Sequence, residues 1–259
     1  MTTTDVTVHV LRVFTDARGR YGNPLGVVMA GAQVPVAARQ RFAARLGYSE
    51  TVFVNDADTG EVQIFTPAAE IALPGHPLVG TAWLLAVEGT RPPECLRPVR
   101  VRDPVPCGVL PGPDAGPPAG PPAGQGSAAP LGARFDADPA TTPDWEIVQL
   151  ADPAAVVAAV APEPGGHWQN TLVWAWSDEA AGTVRVRTFA WQWGVEEDEA
   201  CGSAVVRLAA VLGRGVEALS GRGSVIGTEV LPDGLVRIGG RVVLDTRRFE
   251  PLPGLNVPD

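Results

Sequence analysis

The stretch from residue 65 to 89, FTPAAEIALPGHPLVGTAWLLAVEG, does most to limit what this chain can fold into. It reads as a strand end, a turn, and then an apolar helix opened by Gly75, His76 and Pro77. Leu78, Val79, Ala82, Leu84 and Leu85 leave almost no polar face, so the pattern predicts a buried helix. Pro77 suits a first helical position, where its missing N–H would be unpaired anyway. Such a helix turns free backbone N–H groups and the positive end of its dipole toward whatever precedes it. That makes an anion site with a titratable side chain beside it. Residues 189–213, FAWQWGVEEDEACGSAVVRLAAVLG, repeat the plan, with Cys201, Gly202 and Ser203 opening a second apolar helix. Each copy runs from a Phe at a strand end to a Gly at a helix end. If the halves pack about a pseudo-two-fold axis, the two helix N-termini face each other across one cleft.

Composition narrows the partners. A chain of 259 residues is one large domain or two ordinary ones. A net charge of −9 argues against nucleic acid and against an anionic membrane surface. No run of about 18 apolar residues suggests a membrane span, and the opening MTTTDVTVHV lacks a secretory pattern, so a cytoplasmic protein is expected. Cys95, Cys107 and Cys201 lack metal-site spacing, and His9, His76 and His167 are scattered, so neither disulfides nor a metal site is expected. No G-x-G-x-x-G follows a strand, so no dinucleotide cofactor is expected either.

Along the chain, residues 6–13 alternate as a half-buried strand with His9 on its polar face. A polar loop to Asn23 and a strand at 25–29 follow. Residues 36–46 have helical spacing between Pro35 and Gly47. Strands are expected at 51–54, 61–65 and 97–102. Residues 104–143 are rich in Gly, Pro and Ala, and 111–130 reads as a mobile loop. Strand character returns at 145–150, a short helix at 153–160, and strands at 171–176 and 183–189. Residues 224–231 and 235–244 form a closing hairpin across Pro232-Asp233-Gly234. Such short strands indicate mixed or antiparallel sheets, not a βαβ nucleotide fold.

Several pieces together resemble the PhzF (phenazine biosynthesis-like) family: FT…GNPLGVV, GYSETVFV, IFTPAAEIALPGHPLVGTA, GVEEDEACGSA, GRGSVI and IGGRV, in the family's order and across nearly the whole chain. The resemblance implies the diaminopimelate-epimerase-like α+β fold, with two pseudo-symmetric lobes, each an antiparallel barrel-like sheet around a central helix. The lobes would be residues 1–110, with the C-terminal tail packing on them, and 131–259, separated by the 111–130 loop. It also implies cofactor-independent proton transfer on a small carboxylic or amino acid, as in double-bond isomerases of secondary metabolism. Isomerases of alkylproline precursors in antibiotic biosynthesis are among the look-alikes, and homodimers are common. By motif, Glu50 becomes the general acid/base, with His76 and Asp198 as partners. Gly75, Gly202 and Ser203 would hold the substrate carboxylate, and Asn23 sits where the wider superfamily has a substrate-contacting Asn.

One departure keeps two readings open at Cys201, where the family usually has Thr. In the related amino-acid epimerases this ACG stretch carries one of two catalytic cysteines, but the other would fall at Pro74, which has no thiol. Cys201 is either a small residue replacing Thr or, with the thiol pKa lowered by a helix N-terminus, half of a two-base epimerase. A binding protein without catalysis is the third reading. Ser203 also reads as a helix cap, and Trp191 and Trp193 as core or cleft wall. Asp198 stands out from the charge run 196–199 only by its spacing from Ser203.

Overall fold

A computed structural model describes residues 5–72, 74–88, 95–99, 105–110, 132–163, 165 and 170–252. The loop expected at 111–130 and His167 lie outside the described residues. The first half runs β1 (Asp5–Thr15), β2 (Asn23–Val28), α1 (Val36–Leu46), β3 (Glu50–Asp56), β4 (Glu61–Phe65), β5 (Glu70–Ile71), α2 (Gly75–Val87), β6 (Cys95–Pro98), β7 (Val105–Leu110) and β8 (Gly132–Ala137). The second runs β9 (Glu146–Gln149), α3 (Pro153–Ala158), β10 (Asn170–Asp178), β11 (Thr183–Ala190), β12 (Val195–Asp198), α4 (Gly202–Leu212), β13 (Glu217–Ser220), β14 (Ser224–Val230) and β15 (Val236–Pro251).

These strands join one sheet in the order β1-β2-β3-β4-β6-β7-β8-β15-β14-β13-β11-β10-β9, with β5 attached to β4 and β12 to β11. Parallel neighbours cannot be linked by a tight hairpin and need a crossover. Each parallel pair here has a helix in its connection: α1 joins β2 to β3, α2 joins β4 to β6, α3 joins β9 to β10, and α4 joins β11 to β13. The path β2-β3-β4-β6-β7 therefore alternates parallel and antiparallel pairs in the same order as β9-β10-β11-β13-β14. A two- to four-residue side strand precedes the central helix in each half. The sequence repeat is thus a repeat of topology. Each half is a mixed sheet around its central helix, one of the two arrangements that the short strands indicate.

Two helix layers explain the burial. In the first half α2 lies on one side of the sheet and is buried from Gly75 to Leu85. On the other side, Phe42 and Ala43 of α1 pack with Val6, Val8, Val10, Phe53 and Phe65. Strand β1 is therefore covered on both faces, and His9 is only 7% exposed on the α2 side, near Glu88 at the helix end. That corrects its expected place on a polar face. The second half is built likewise: Val156 of α3 packs with Val173, Ala175 and Phe189, while α4 sits opposite. Residues of α2 and α4 belong to one continuous core.

The helix limits were legible because their stops are local. Helix α1 ends at Gly47 (φ 71) and α4 at Gly213 (φ 64), both in the left-handed region a glycine tolerates. Helix α2 starts two residues before Pro77, which is thus its third residue, still within the turn whose N–H groups lack helical partners. Helix α3 stops at Ala158, two residues short of expectation. The closing hairpin continues seven residues past 244: β15 leaves β14 and pairs with β1 from Thr15↔Arg241 to Asp5↔Pro251. Strands β7 and β8 flank the expected 111–130 loop, within the Gly-, Pro- and Ala-rich stretch for which no strand was expected. Among the described residues no helix is long and apolar enough to cross a membrane.

Candidate functional site

The first residues of α2 and α4 meet end to end. A Cβ added at Gly75 would lie 2.7 Å from the Gly202 Cα, and one added at Gly202 would lie 2.9 Å from the Gly75 Cα. No side chain fits between the two backbones, so glycine is required at both positions. First-turn N–H groups have no partner inside their helix, so two sets of donors and two positive dipole ends face a shared point.

Five elements bring side chains to that point. Asn23 opens β2, after Tyr21 and Gly22, which both have positive φ (62 and 82). Glu50 opens β3, and the parallel β2–β3 register sets Leu25 opposite Glu50, so Asn23 and Glu50 share one sheet end. His76 is the second residue of α2, Asp198 the last of β12, and Cys201 the N-cap of α4. The Asn23 side-chain amide donates to Asp198 Oδ1 at 2.6 Å and lies 3.3 Å from His76 Nδ1 and 3.4 Å from the Ala200 carbonyl oxygen. On the other side of the ring, His76 Nε2 stands 3.2 Å from Glu50 Oε2. Those two atoms are not aligned as a hydrogen bond, and each is buried without a hydrogen-bond partner. The sequence-predicted residues Asn23, Glu50, His76, Asp198, Cys201, Gly75, Gly202 and Ser203 therefore all fall at one place.

Burial sets the electrostatics. It pushes the Glu50 carboxyl up to about 7, against the opposing pull of the Ser49 hydroxyl. Burial also raises Asp198, and the charge of Glu50 adds to it. His76 is lowered to about 4 by burial, although Asp198 and the Pro24 carbonyl favour its charged form. Near neutrality the site thus holds a neutral imidazole and a carboxyl poised to give or take a proton.

Cys201 departs from expectation. Burial first, and then the Asp198 charge, hold its thiol well above the usual range, despite the helix N-terminus. It stays protonated, 3.5 Å from the Ser203 hydroxyl. Ser203 is the second helical residue and not the cap. Trp191 donates to the Pro162 carbonyl at 2.7 Å, and Trp193 packs on the main core. Ser49 had no assigned role, yet its hydroxyl donates to Asn23 Oδ1 at 3.4 Å, and its place beside Glu50 in GYSET was the available signal. Among the described residues no group of three His, Cys, Asp or Glu is placed to hold a metal ion.

Residues 11–97 match the sequence profile of the phenazine biosynthesis-like proteins, PhzC-PhzF. Over 78 residues, 29% of this chain, it is 37% identical to the uncharacterized isomerase YfhB of Bacillus subtilis. Over 64 residues, 24% of this chain, it is 41% identical to the trans-2,3-dihydro-3-hydroxyanthranilate isomerase of Pseudomonas fluorescens. These matches span 26% and 23% of the two relatives' lengths. In fold, the chain is similar to a PhzF-family protein of Enterococcus faecalis, with a TM-score of 0.71 and 20% identity, covering 96% of this chain and all of that one.

Proposed function

We propose that this chain, whose residues 11–97 match the phenazine biosynthesis-like profile, is an isomerase that moves a proton, and with it a double bond, on a small unsaturated carboxylic or amino acid, without a cofactor. The observation that carries this reading is the Glu50–His76 approach of 3.2 Å at the abutting ends of α2 and α4, with Asp198 on the far side of the same ring. The substrate carboxylate faces the free N–H groups of both helices. Glu50, ionised, takes a proton from a saturated carbon next to the double bond. The electron pair left behind forms a new C=C, and the charge spreads onto the carboxylate held by the helix ends. The original double bond opens at its far carbon, which receives the proton back from Glu50 directly or through His76 or Asp198. Atoms and charge balance, and no redox step occurs.

The buried, protonated Cys201 thiol and the thiol-free Pro74 speak against a two-thiol epimerase. The substrate named for the Pseudomonas relative, trans-2,3-dihydro-3-hydroxyanthranilate, is the first compound to test, followed by small unsaturated amino acids. Incubation in D₂O with proton NMR should show deuterium at one carbon, and Glu50→Gln should abolish it. If no compound gains carbon-bound deuterium while one still binds, the chain is a binding protein. If the Cys201→Ala variant loses exchange and Glu50→Gln keeps it, the epimerase reading replaces ours. A place in secondary-metabolite biosynthesis belongs to this same proposal.

A further inference from the structure

The GRGSVI segment, at the start of β14, has no role in the chemistry above, yet it lies against the catalytic loop. The Ser224 hydroxyl, fully buried, donates to Glu199 Oε1 at 2.8 Å and accepts from the Gly22 backbone N–H at 3.0 Å. Gly22 is the residue before Asn23, and Glu199 is the residue after Asp198. With the 2.6 Å bond from Asn23 to Asp198, these contacts close a ring: Asn23, Gly22, Ser224, Glu199, Asp198 and back to Asn23. The ring joins residues about 200 positions apart, from opposite halves of the chain.

Each member has one chemical role. A backbone N–H can only donate and a carboxylate oxygen accepts, so a side chain that bridges Gly22 and Glu199 must accept from the first and donate to the second. A hydroxyl does this. Glu199 is fixed in turn by the Arg222 backbone N–H, at 3.0 and 3.1 Å to its two oxygens. The turn before Ser224 is anchored from behind, where the Arg185 guanidinium donates to the Leu219 and Gly221 carbonyls. From the other half, the Tyr21 ring lies flush on Gly223, where an added Cβ would come within 2.6 Å of it. Tyr21 holds a positive φ, a conformation that persists only where its surroundings impose it.

We propose that Ser224 and Glu199 are positioning residues, which hold Asn23 and Asp198 in register across the two halves of the chain. Their effect on turnover rests on the isomerase reading; their effect on the Asn23–Asp198 bond does not. The experiment follows the Asp198 carboxyl carbon by ¹³C NMR against pH in the full chain, the signal being assigned by its loss in Asp198→Asn. A donor on the charged carboxylate holds its pKa down. In Ser224→Ala the midpoint should therefore rise. On trans-2,3-dihydro-3-hydroxyanthranilate, kcat should fall about 100-fold with KM little changed, as for a displaced catalytic group. A folded Ser224→Ala whose Asp198 titration is unmoved overturns the proposal. If Ser224→Ala does not fold, the near-isosteric Ser224→Cys, whose thiol is only a weak donor and acceptor, decides by the same titration, upward in support and unmoved against. If the wild type turns over nothing, the titration still decides, and only the isomerase reading fails.

Discussion

Glu50 and His76 are shifted in opposite directions by the same burial, which makes them testable one against the other. Glu50 must be ionised to take a proton, so kcat/KM should rise with pH through a midpoint near 7. A midpoint near the ordinary carboxylate value would remove Glu50 as the base. Stability gives a second test. Glu50 rises from 4.5 to about 7 on folding, so between those values the folded chain keeps a proton the unfolded chain has lost, and this contribution declines as pH rises. His76 falls from 6.5 to about 4, so the folded chain lacks a proton the unfolded chain keeps, and its contribution declines as pH falls. Each is on the order of 3 kcal/mol, and between pH 4.5 and 6.5 they oppose. Relative to wild type, His76→Gln should lose stability as pH rises through that window, and Glu50→Gln should gain it. Urea midpoints at pH 4.5 and 6.5 measure both slopes, and parallel curves for all three proteins would show that the pair is not buried together. The residues of this pair were legible in sequence because short motifs, YSET and GHP, carry them. The thiol state of Cys201 was not, because a helix N-terminus is a local feature while burial and a facing Asp198 are tertiary ones.

The elements that meet at the site depend on two missing side chains. Gly75→Ala and Gly202→Ala each drive a methyl into the backbone of the opposing helix. Backbone cannot swing aside as a side chain can, so the helices must separate. Each change should cost about 1–3 kcal/mol, as overpacking does, and abolish turnover by moving the N–H donors apart. Gly213→Ala is the control: the added Cβ meets nothing within 4 Å, and its φ of +64 costs about 1–2 kcal/mol without touching the site. Equal stability loss with activity kept in all three would mean that the abutting helix ends do not matter. Helices were readable in sequence because their starts and stops are written locally, at Pro35 and Gly47 or at Gly202 and Gly213. Strand pairing was not. Nothing in Val105–Leu110 or Gly132–Ala137 distinguishes strand from loop, since Gly and Pro lower β-propensity and only the partner strands decide.

At the scale of the whole molecule, β15 ties the two halves together. Its first residues pair with β14 and β8, and from Arg241 onward it pairs with β1. The main core runs without a break through both central helices, from Leu78 and Leu84 to Val205 and Leu208. The ladder and the core both imply one cooperative unit, since neither half can close its own sheet or its own core. A chain ended after Leu244 keeps the hairpin expected from sequence but loses the partners of β1 from Asp5 to Val10, the stretch whose Val6, Val8 and Val10 pack against α1. Unpaired strand backbone at that edge is costly and prone to pairing with other chains. The shortened chain should lose the greater part of a stability on the order of 5–15 kcal/mol. Far-UV circular dichroism and the fluorescence of tryptophans in the second half, such as Trp174 and Trp176, should still fall together at one lowered midpoint. A tryptophan transition left at the wild-type midpoint would show that the halves fold separately, and that β15 only adorns the first.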